Sequence, residues 1–313
     1  MPRAAVERIE TRCEVTMHPE DTQLPAAQLI EACRDVEGLL ASGVAVGADL
    51  LEQAPQLRVV SNLGVGYDRI DVAACTRRRV LVTNTPGVVT GATADLSFAL
   101  LMAVARRLLE ADRYVRGGHW VTWSWECMWG TDLEGKTLGL LGFGRIGQAV
   151  ARRASGFSMR ILYYSVDRPT PERERELGAQ FVDRETLLRE SDFLSLHVPL
   201  APDTHHLLGA AEFASMKPTA FLINASRGKV VDEAALVEAL QAKRLAGAGL
   251  DVFEFEPKVH PALLAMPNVV LTPHMGTATS ETRLAMAMMA ADNLLAALTG
   301  KNPVNVVNPE VWE

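Results

Sequence analysis

Among 313 residues there are only four cysteines, Cys13, Cys33, Cys75 and Cys127, and no two of them form a C-x-x-C pair. That scatter excludes a legible disulfide framework or zinc site. It marks the four as packing residues and predicts a reducing, cytoplasmic setting. Basic charge is not in excess either: 31 Lys and Arg against 38 Asp and Glu leave a net charge of −7. The electrostatic footprint of a nucleic-acid or anionic-membrane binder is therefore missing. No apolar run approaches the roughly 18 residues that span a bilayer. The opening "MPRAAVERIETR" lacks the apolar centre of a secretion signal. Repeats and low-complexity tracts are also absent.

The remaining composition, 48% hydrophobic and 22% charged, is that of a globular chain. Its length suggests roughly two domains. Short apolar runs alternate with helical patterns throughout, which is the signature of parallel α/β architecture. A first series of strand candidates reads "CEVTM" (13–17), "EGLLAS" (37–42), "LRVVSN" (57–62) and "VLVTN" (80–84). A long helical stretch follows over 91–116. A second series reads "TLGLLG" (137–142), "MRILYY" (159–164), "DFLSLHV" (192–198), "AFLINA" (220–225), "AGAGLDV" (246–252) and "NVVLT" (268–272). The pattern predicts a final helix over 280–298, whose Met, Leu and Ala residues read as core. Composition alone leaves two α/β domains and one enlarged sheet both open.

The second series opens on "LGLLGFGRIGQ" (138–148), in which Gly142, Gly144 and Gly147 follow a strand and precede a helical pattern. This is the G-x-G-x-x-G turn of a dinucleotide site. Its glycines let the backbone approach a pyrophosphate, and the helix N-terminus supplies N–H groups and positive dipole. Small Ala149 and Ala151 suit close packing of helix on strand. An NAD site would carry Asp or Glu at the end of the next strand, to bind the ribose 2′-hydroxyl. Here "ILYYSVDRP" (161–169) puts Ser165 at that position, with Asp167 and Arg168 just beyond. Serine does not repel a 2′-phosphate and Arg168 could pair with one, so the expected cofactor is NADPH, with NADH the alternative that Asp167 favours.

Three later stretches, "INASRGKVVDE", "AGLDVFEFEP" and "LTPHMGTAT", place Arg227, Glu256 and His274 just after strands, where open parallel sheets bind ligands. Arg227 can give two parallel hydrogen bonds to the planar oxygens of a 2-keto acid. His274 suits protonation of a ketone oxygen as hydride arrives, and a Glu256 carboxylate against the imidazole would orient it and favour its charged form. The "LGVG" loop (63–66) offers the N–H groups of Val65 and Gly66 to a substrate carboxylate.

With "SNLGVGYDRID" (61–71), "TNTPGV" (83–88), "GATADL" (91–96), "HVPL" (197–200), "SRGKVVDE" (226–233), "GLDVFEFEP" (249–257) and "TPHMGTAT" (272–279), the chain resembles the D-isomer-specific 2-hydroxyacid dehydrogenases. Within them it is most like the glyoxylate/hydroxypyruvate reductases. The resemblance implies a flavodoxin-like substrate domain (1–87 plus 278–313) and a Rossmann domain (88–277), with the active site in the cleft. It assigns catalysis to Arg227, Glu256 and His274, and substrate binding to Val65, Gly66, Arg227 and His274. It assigns the cofactor to Gly142, Gly144, Arg145, Ile146, Gly147, Ser165 and Arg168, joined by Thr93, Val198, Pro199, Thr204, Ala225, Ser226, Asp251 and Gly276. Asp251 is expected on the nicotinamide amide, or else as a loop cap.

The implied reaction is reduction of glyoxylate, hydroxypyruvate or a larger 2-keto acid such as 2-ketogluconate, with no metal. The rivals are a phosphoglycerate dehydrogenase-like enzyme and a dinucleotide-sensing binding protein like the corepressors on this scaffold. Trp120, Trp123, Trp125 and Trp129 crowd one ten-residue stretch. They read either as a loop packed on its own core or as a homodimer contact, from which Trp120 or Trp123 would approach the neighbour's substrate. One departure from the family pattern is expected to matter. The chain begins on what reads as the helix after the family's first strand, so a neighbouring strand would lack its partner.

Overall fold

The computed structural model describes residues 1–20, 22 and 24–312. The chain divides into two compact units, one of residues 1–89 and 277–313 and the other of residues 90–276. Each has its own parallel sheet, so the enlarged single sheet is excluded. Among the described residues no helix is long and apolar enough to cross a membrane.

The first unit holds β1 (Gly38–Ala41), β2 (Val59–Asn62) and β3 (Leu81–Thr83), paired in parallel in the order β1-β2-β3. The helix Ser280–Leu298 packs on this sheet and buries Met286, Ala287, Ala290, Ala291, Leu294 and Leu295, as its composition predicted. Small side chains let the backbones approach, and the buried Ser61 hydroxyl donates to the carbonyl of Ala290 at 2.8 Å. The expected strand at 13–17 is not formed. That segment has the right alternation but joins no ladder, and an extended segment without a hydrogen-bonded neighbour is not a strand. β1 accordingly pairs with β2 alone.

The outer edge of β3 is closed by the chain's last residues. The Val307 N–H donates to Val82 O at 2.8 Å. Asn308, 1% exposed, then stands in for a strand residue. Its Oδ1 accepts the Val82 N–H (2.7 Å), and its Nδ2 donates to Val80 O (3.0 Å) and Thr76 Oγ1 (3.1 Å).

The second unit is a seven-stranded parallel sheet in the order β10-β9-β8-β7-β4-β5-β6. Its strands are β4 (Thr137–Leu141), β5 (Arg160–Tyr164), β6 (Ala179–Phe181), β7 (Phe193–Leu196), β8 (Phe221–Asn224), β9 (Gly247–Leu250) and β10 (Val269–Leu271). β4, β7, β8 and β9 are buried along their whole length, because helices cover both faces of such a sheet. One core lies against the helices Thr90–Ala105 and Arg145–Ser155, and a second against the helices Arg184–Glu190, Ala210–Ser215 and Glu233–Gln241. β4 pairs with β5 on one side and β7 on the other, which makes its C-terminal end the switch point where doubly wound sheets take ligands. The three-residue β6 escaped the sequence reading, being too short to carry a period.

The helix expected over 91–116 is two, Thr90–Ala105 and Leu108–Arg116. The Ala105 carbonyl accepts the Thr131 N–H at 2.8 Å in place of a helical donor. Arg107 turns left-handed (φ 51°) and is held by Glu110 and the Trp129 carbonyl. After that break none of the residues of Leu108–Arg116 is buried.

Replacing Asn308 by alanine strips the Val82 N–H and the Val80 carbonyl of their partners, at a cost of about 2–3 kcal/mol. Urea unfolding of Asn308→Ala followed by circular dichroism is expected to show that loss. An unchanged midpoint would mean that the edge of β3 does not depend on this side chain.

Candidate active site

The three fingerprint glycines stand after β4 and meet three different surroundings. Gly142 is left-handed (φ 93°), and a Cβ there would lie 2.6 Å from the His197 carbonyl oxygen and 3.0 Å from Val198 Cγ1. Gly147, in the first turn of Arg145–Ser155, packs so closely that a Cβ would meet Gly142 O at 2.4 Å. Gly144 caps that helix, and a Cβ on it would meet nothing within 4 Å. The turn is thus packed tightly from beneath and open at Gly144. The helix carries no acidic residue in its first turn and no side-chain cap, so its N–H groups and dipole remain for an anionic ligand. Exposed Arg145 and half-buried Ile146 begin the helix. The residues present fit a dinucleotide pyrophosphate.

His197 lies directly under this turn. Its ring nitrogen Nε2 is 2.9 Å from Ser195 Oγ, and the ring faces the Gly147 position. Burial pushes its pKa down from the usual 6.5 to about 4. The sequence reading passed over it, although an ionisable residue beside "VPL" at a strand end was a usable signal.

At the end of β5, Ser165 is half-buried and Asp167 exposed. Arg168 is not an unencumbered cation. Its guanidinium lies 4.3 Å over the Phe181 ring and pairs with Glu174 at 2.8 Å. Glu174 in turn accepts a short hydrogen bond from the Tyr163 hydroxyl. These bonds hold the Glu174 carboxyl below the ordinary range, Tyr163 first and Arg168 second, and push the Arg168 guanidinium up. Neither Tyr163 nor Glu174 was singled out from the sequence.

The loop after β7 carries Val198, Pro199 and Thr204. The Thr204 hydroxyl donates to Pro199 O (2.7 Å) and accepts the Ala201 N–H (2.8 Å), closing the loop on itself. After β8, the 1%-exposed Asn224 organises Ala225, Ser226 and Arg227. Its Oδ1 accepts from the Ser226 N–H and hydroxyl, and its Nδ2 donates to Arg227 O at 3.0 Å. The Arg227 guanidinium donates to Ser226 O at 2.8 Å.

Glu256 and His274 follow β9 and β10. His274 Nδ1 donates to Glu256 Oε2 at 2.9 Å, and Glu256 Oε1 accepts the Phe253 N–H at 3.0 Å. A carboxylate can only accept, so the proton of that bond is on Nδ1 and Nε2 is the nitrogen left for a ligand. His274 is left-handed (φ 50°), a conformation that costs a non-glycine residue about 1–2 kcal/mol. Asp251, 1% exposed, holds the loop in that state. Oδ1 accepts from the Thr272 hydroxyl (2.6 Å) and the Met275 N–H (2.8 Å), Oδ2 accepts the Gly276 N–H (2.8 Å), and the Asp251 carbonyl accepts the His274 N–H (2.8 Å). Burial pushes the Asp251 carboxyl up, against the pull of those donors. Its observed contacts are those of a loop cap. Gly276 also sits beside Thr93, whose methyl and hydroxyl lie within 3.7 Å of a Cβ built there.

Asp251, Thr93 and Gly276 are therefore brought together, as are Glu256 and His274, and Gly142 and Val198. Val65 and Gly66 lie in the first unit, in the loop after β2. Asn62 Nδ2 donates to the carbonyls of Gly64 and Gly66 at 3.0 Å each, and Asn84 Nδ2 donates to that of Val65 at 2.9 Å. The backbone carbonyls of Val65 and Gly66 are thus tied down.

The family model described as "D-isomer specific 2-hydroxyacid dehydrogenase, NAD binding domain" matches residues 98–276. The glyoxylate reductase of Thermococcus litoralis is 51% identical to this chain, over 99% of this chain and 95% of the relative. The crystal structure of the TT0316 protein from Thermus thermophilus superposes with a TM-score of 0.91 at 45% identity, covering 98% of this chain and 97% of that one. The NADPH-dependent glyoxylate/hydroxypyruvate reductase of Sinorhizobium meliloti, solved with NADP and malonate, gives 0.85 at 36% identity over 97% of this chain and 94% of that one.

The half-buried His197, shielded beneath the turn, resists protonation, so the folded state takes up its proton only near pH 4, whereas the unfolded chain does so near 6.5. Stability is therefore lost as pH falls through that window, by about 2–3 kcal/mol. Urea midpoints at pH 7.5 and pH 5 are expected to differ less in His197→Gln than in the unaltered protein. Equal acid sensitivity in both would put the loss on other groups.

Proposed function

The chain belongs to the D-isomer specific 2-hydroxyacid dehydrogenases and is an oxidoreductase of that family, and from that premise we propose that it reduces glyoxylate, and with it hydroxypyruvate, to the 2-hydroxy acid. The observation that carries the reading is the His274–Glu256 bond at 2.9 Å, which leaves Nε2, a donor once the imidazole is protonated, for a ligand at the end of the sheet that also bears the glycine turn. The curated relative's name supports the same substrate class.

When bound, the reduced nicotinamide supplies the hydride that adds to C2 of the keto acid. The protein's part is to hold the acid and deliver a proton. Arg227 gives parallel N–H donors to the planar carboxylate and ketone oxygens. His274 Nε2 gives its proton to the ketone oxygen, so that hydride and proton together convert the ketone to a hydroxyl. Glu256 stays charged, orients the imidazole through Nδ1 and stabilises its protonated form. Val65 and Gly66 are proposed to offer their N–H groups to the substrate carboxylate. Asp251 is proposed to take the nicotinamide amide on a lone pair not used by its loop. Residues 1–87 with 278–313, and 88–277, are proposed as the substrate and dinucleotide domains.

NADPH is the proposed preferred cofactor, because Ser165 replaces the carboxylate that would repel a 2′-phosphate. Arg168, half-exposed, is its proposed partner, and Glu174 competes for it. A cytoplasmic homodimer is proposed as the working state. Trp120, Trp123, Trp125 and Trp129 are between 58% and 75% exposed, which overturns their reading as a loop packed on its own core and favours an interface.

Loss of NADPH and, separately, NADH absorbance with glyoxylate and hydroxypyruvate tests the reading. Turnover is expected with both acids and faster with NADPH. His274→Gln is expected to lower kcat by about 10²–10⁴-fold. Near-normal turnover in that variant removes His274 from the chemistry, and tight cofactor binding with no turnover on any 2-keto acid favours the binding-protein alternative. Light scattering of the purified chain is expected to give the mass of two copies, falling to one copy when Trp123 and Trp125 are both replaced by serine. A monomeric unaltered protein overturns the homodimer.

A further inference from the structure

The geometry points to Glu233 as a positioning residue for the proposed acid pair, acting through the backbone of residues 253–260. The assignment rests on the reductase reading of Glu256 and His274 given above. Glu233 opens the helix Glu233–Gln241 and is only 6% exposed, an unusual place for a carboxylate. Its Oε2 accepts the N–H of Glu254 and its Oε1 accepts the N–H of His260, each at 3.0 Å. Glu254 returns the bond, its Oε2 accepting the Glu233 N–H at 3.2 Å, while its Oε1 lies 2.8 Å from His206 Nε2. Two carboxylates thus exchange backbone N–H bonds, and a third loop, the one after β7, is tied in through His206.

The pinned positions bracket Glu256, two residues before it and four after. The same segment is gripped from the Arg227 side. A Cβ on Gly228 would fall 1.9 Å from the Phe253 carbonyl and 2.5 Å from the Glu254 nitrogen, so the two backbones are in contact there. The Phe253 N–H meanwhile donates to Glu256 Oε1. Residues 253–256 form no regular helix or strand that would fix them by ladder bonds. A 2.9 Å bond from Glu256 to His274 therefore depends on what holds this loop at each end. Carboxylate chemistry matters because both oxygens must accept. A glutamine would turn a donor toward one of the two N–H groups. The charge sits in the first turn of a helix, where the dipole favours it.

The test compares Glu233→Gln, Glu254→Gln and, as a control, Glu212→Gln. Glu212 pairs with Arg184 and caps the Gly209 N–H, and takes no part in the proposed site. Amide hydrogen exchange is read on the full chain without substrate. In Glu233→Gln and Glu254→Gln, exchange is expected to rise about 10-fold or more over residues 251–261 while the rest of the chain keeps its rate. With glyoxylate and NADPH, kcat is expected to fall about 10–100-fold, with the KM for NADPH within about twofold. The alkaline limb of the pH profile is expected to move to lower pH, because the imidazole loses carboxylate support. Glu212→Gln is expected to lower thermal stability without moving that limb.

Unchanged exchange and kcat in both variants would overturn the assignment. So would a fall in kcat that only tracks the unfolded fraction while the pH profile stays in place. If the unaltered protein reduces no 2-keto acid, the reductase reading fails. The exchange arm then still decides: faster exchange confined to 251–261 sustains the clamp, and a uniform change overturns it.

Discussion

The hydrogen bond between His274 and Glu256 is the constraint that the second unit is arranged to satisfy. It joins two stretches that hold no helix and no regular strand, residues 251–260 after β9 and 272–279 after β10. Side chains on flexible loops do not hold a 2.9 Å contact unaided, since fixing each residue costs about 1–2 kcal/mol of backbone entropy. The cost is met by buried acceptors placed where the backbone turns. Asp251 gathers Thr272, Met275 and Gly276 around itself and keeps His274 left-handed, while Glu233 and Glu254 fasten the loop of Glu256. Asp251 and Glu233 are nearly inaccessible to water, so their bonds to N–H groups are little weakened by solvent.

The same logic governs the glycine turn. Its tightness comes from beneath, from the His197 carbonyl under Gly142 and from Gly142 itself under Gly147. Only Gly144 looks into open space. A neutral His197 suits this position, because a charged imidazole partly withdrawn from water would need a counter-charge. β4 lies between β5 and β7 in the sheet, so the loops after it and after β7 diverge and leave a crevice at its end. At the far side of that crevice Arg168 is stacked on Phe181 and shared with Glu174. The cation expected to decide between cofactors therefore already has a carboxylate partner.

Much of this was legible in the chain. Among the described residues, nine of the ten strand segments announced themselves as short, largely apolar runs, because strands covered by helices on both faces turn most of their side chains into a core. The glycine spacing and the residues Arg227, Glu256 and His274 stood out because their chemistry is tied to particular residue types just after strands. The three-residue β6 and the break at Arg107 did not stand out. Both are tertiary events: β6 is a strand because β5 lies beside it, and the helix ends because Thr131 takes the Ala105 carbonyl. The run at 13–17 fails in the opposite sense, with a strand-like pattern and no strand to pair with.

The sequence by itself determined the architecture class and the glycine turn, and it singled out the residues proposed for the acid chemistry. Each of these depends on periodicity or on residue type at short range. Only the tertiary structure decided which side chains hold those residues in place. Asn224, Glu233, Glu254 and His197 are ordinary polar residues in the sequence. They become supports through what the fold sets beside them: Glu233 and Glu254 reach N–H groups of a distant segment, Asn224 ties the turn that follows it, and His197 lies beneath the glycine turn. The exposure of the four tryptophans was likewise decided there, since burial depends on what a fold brings against a side chain and not on the side chain's hydrophobicity.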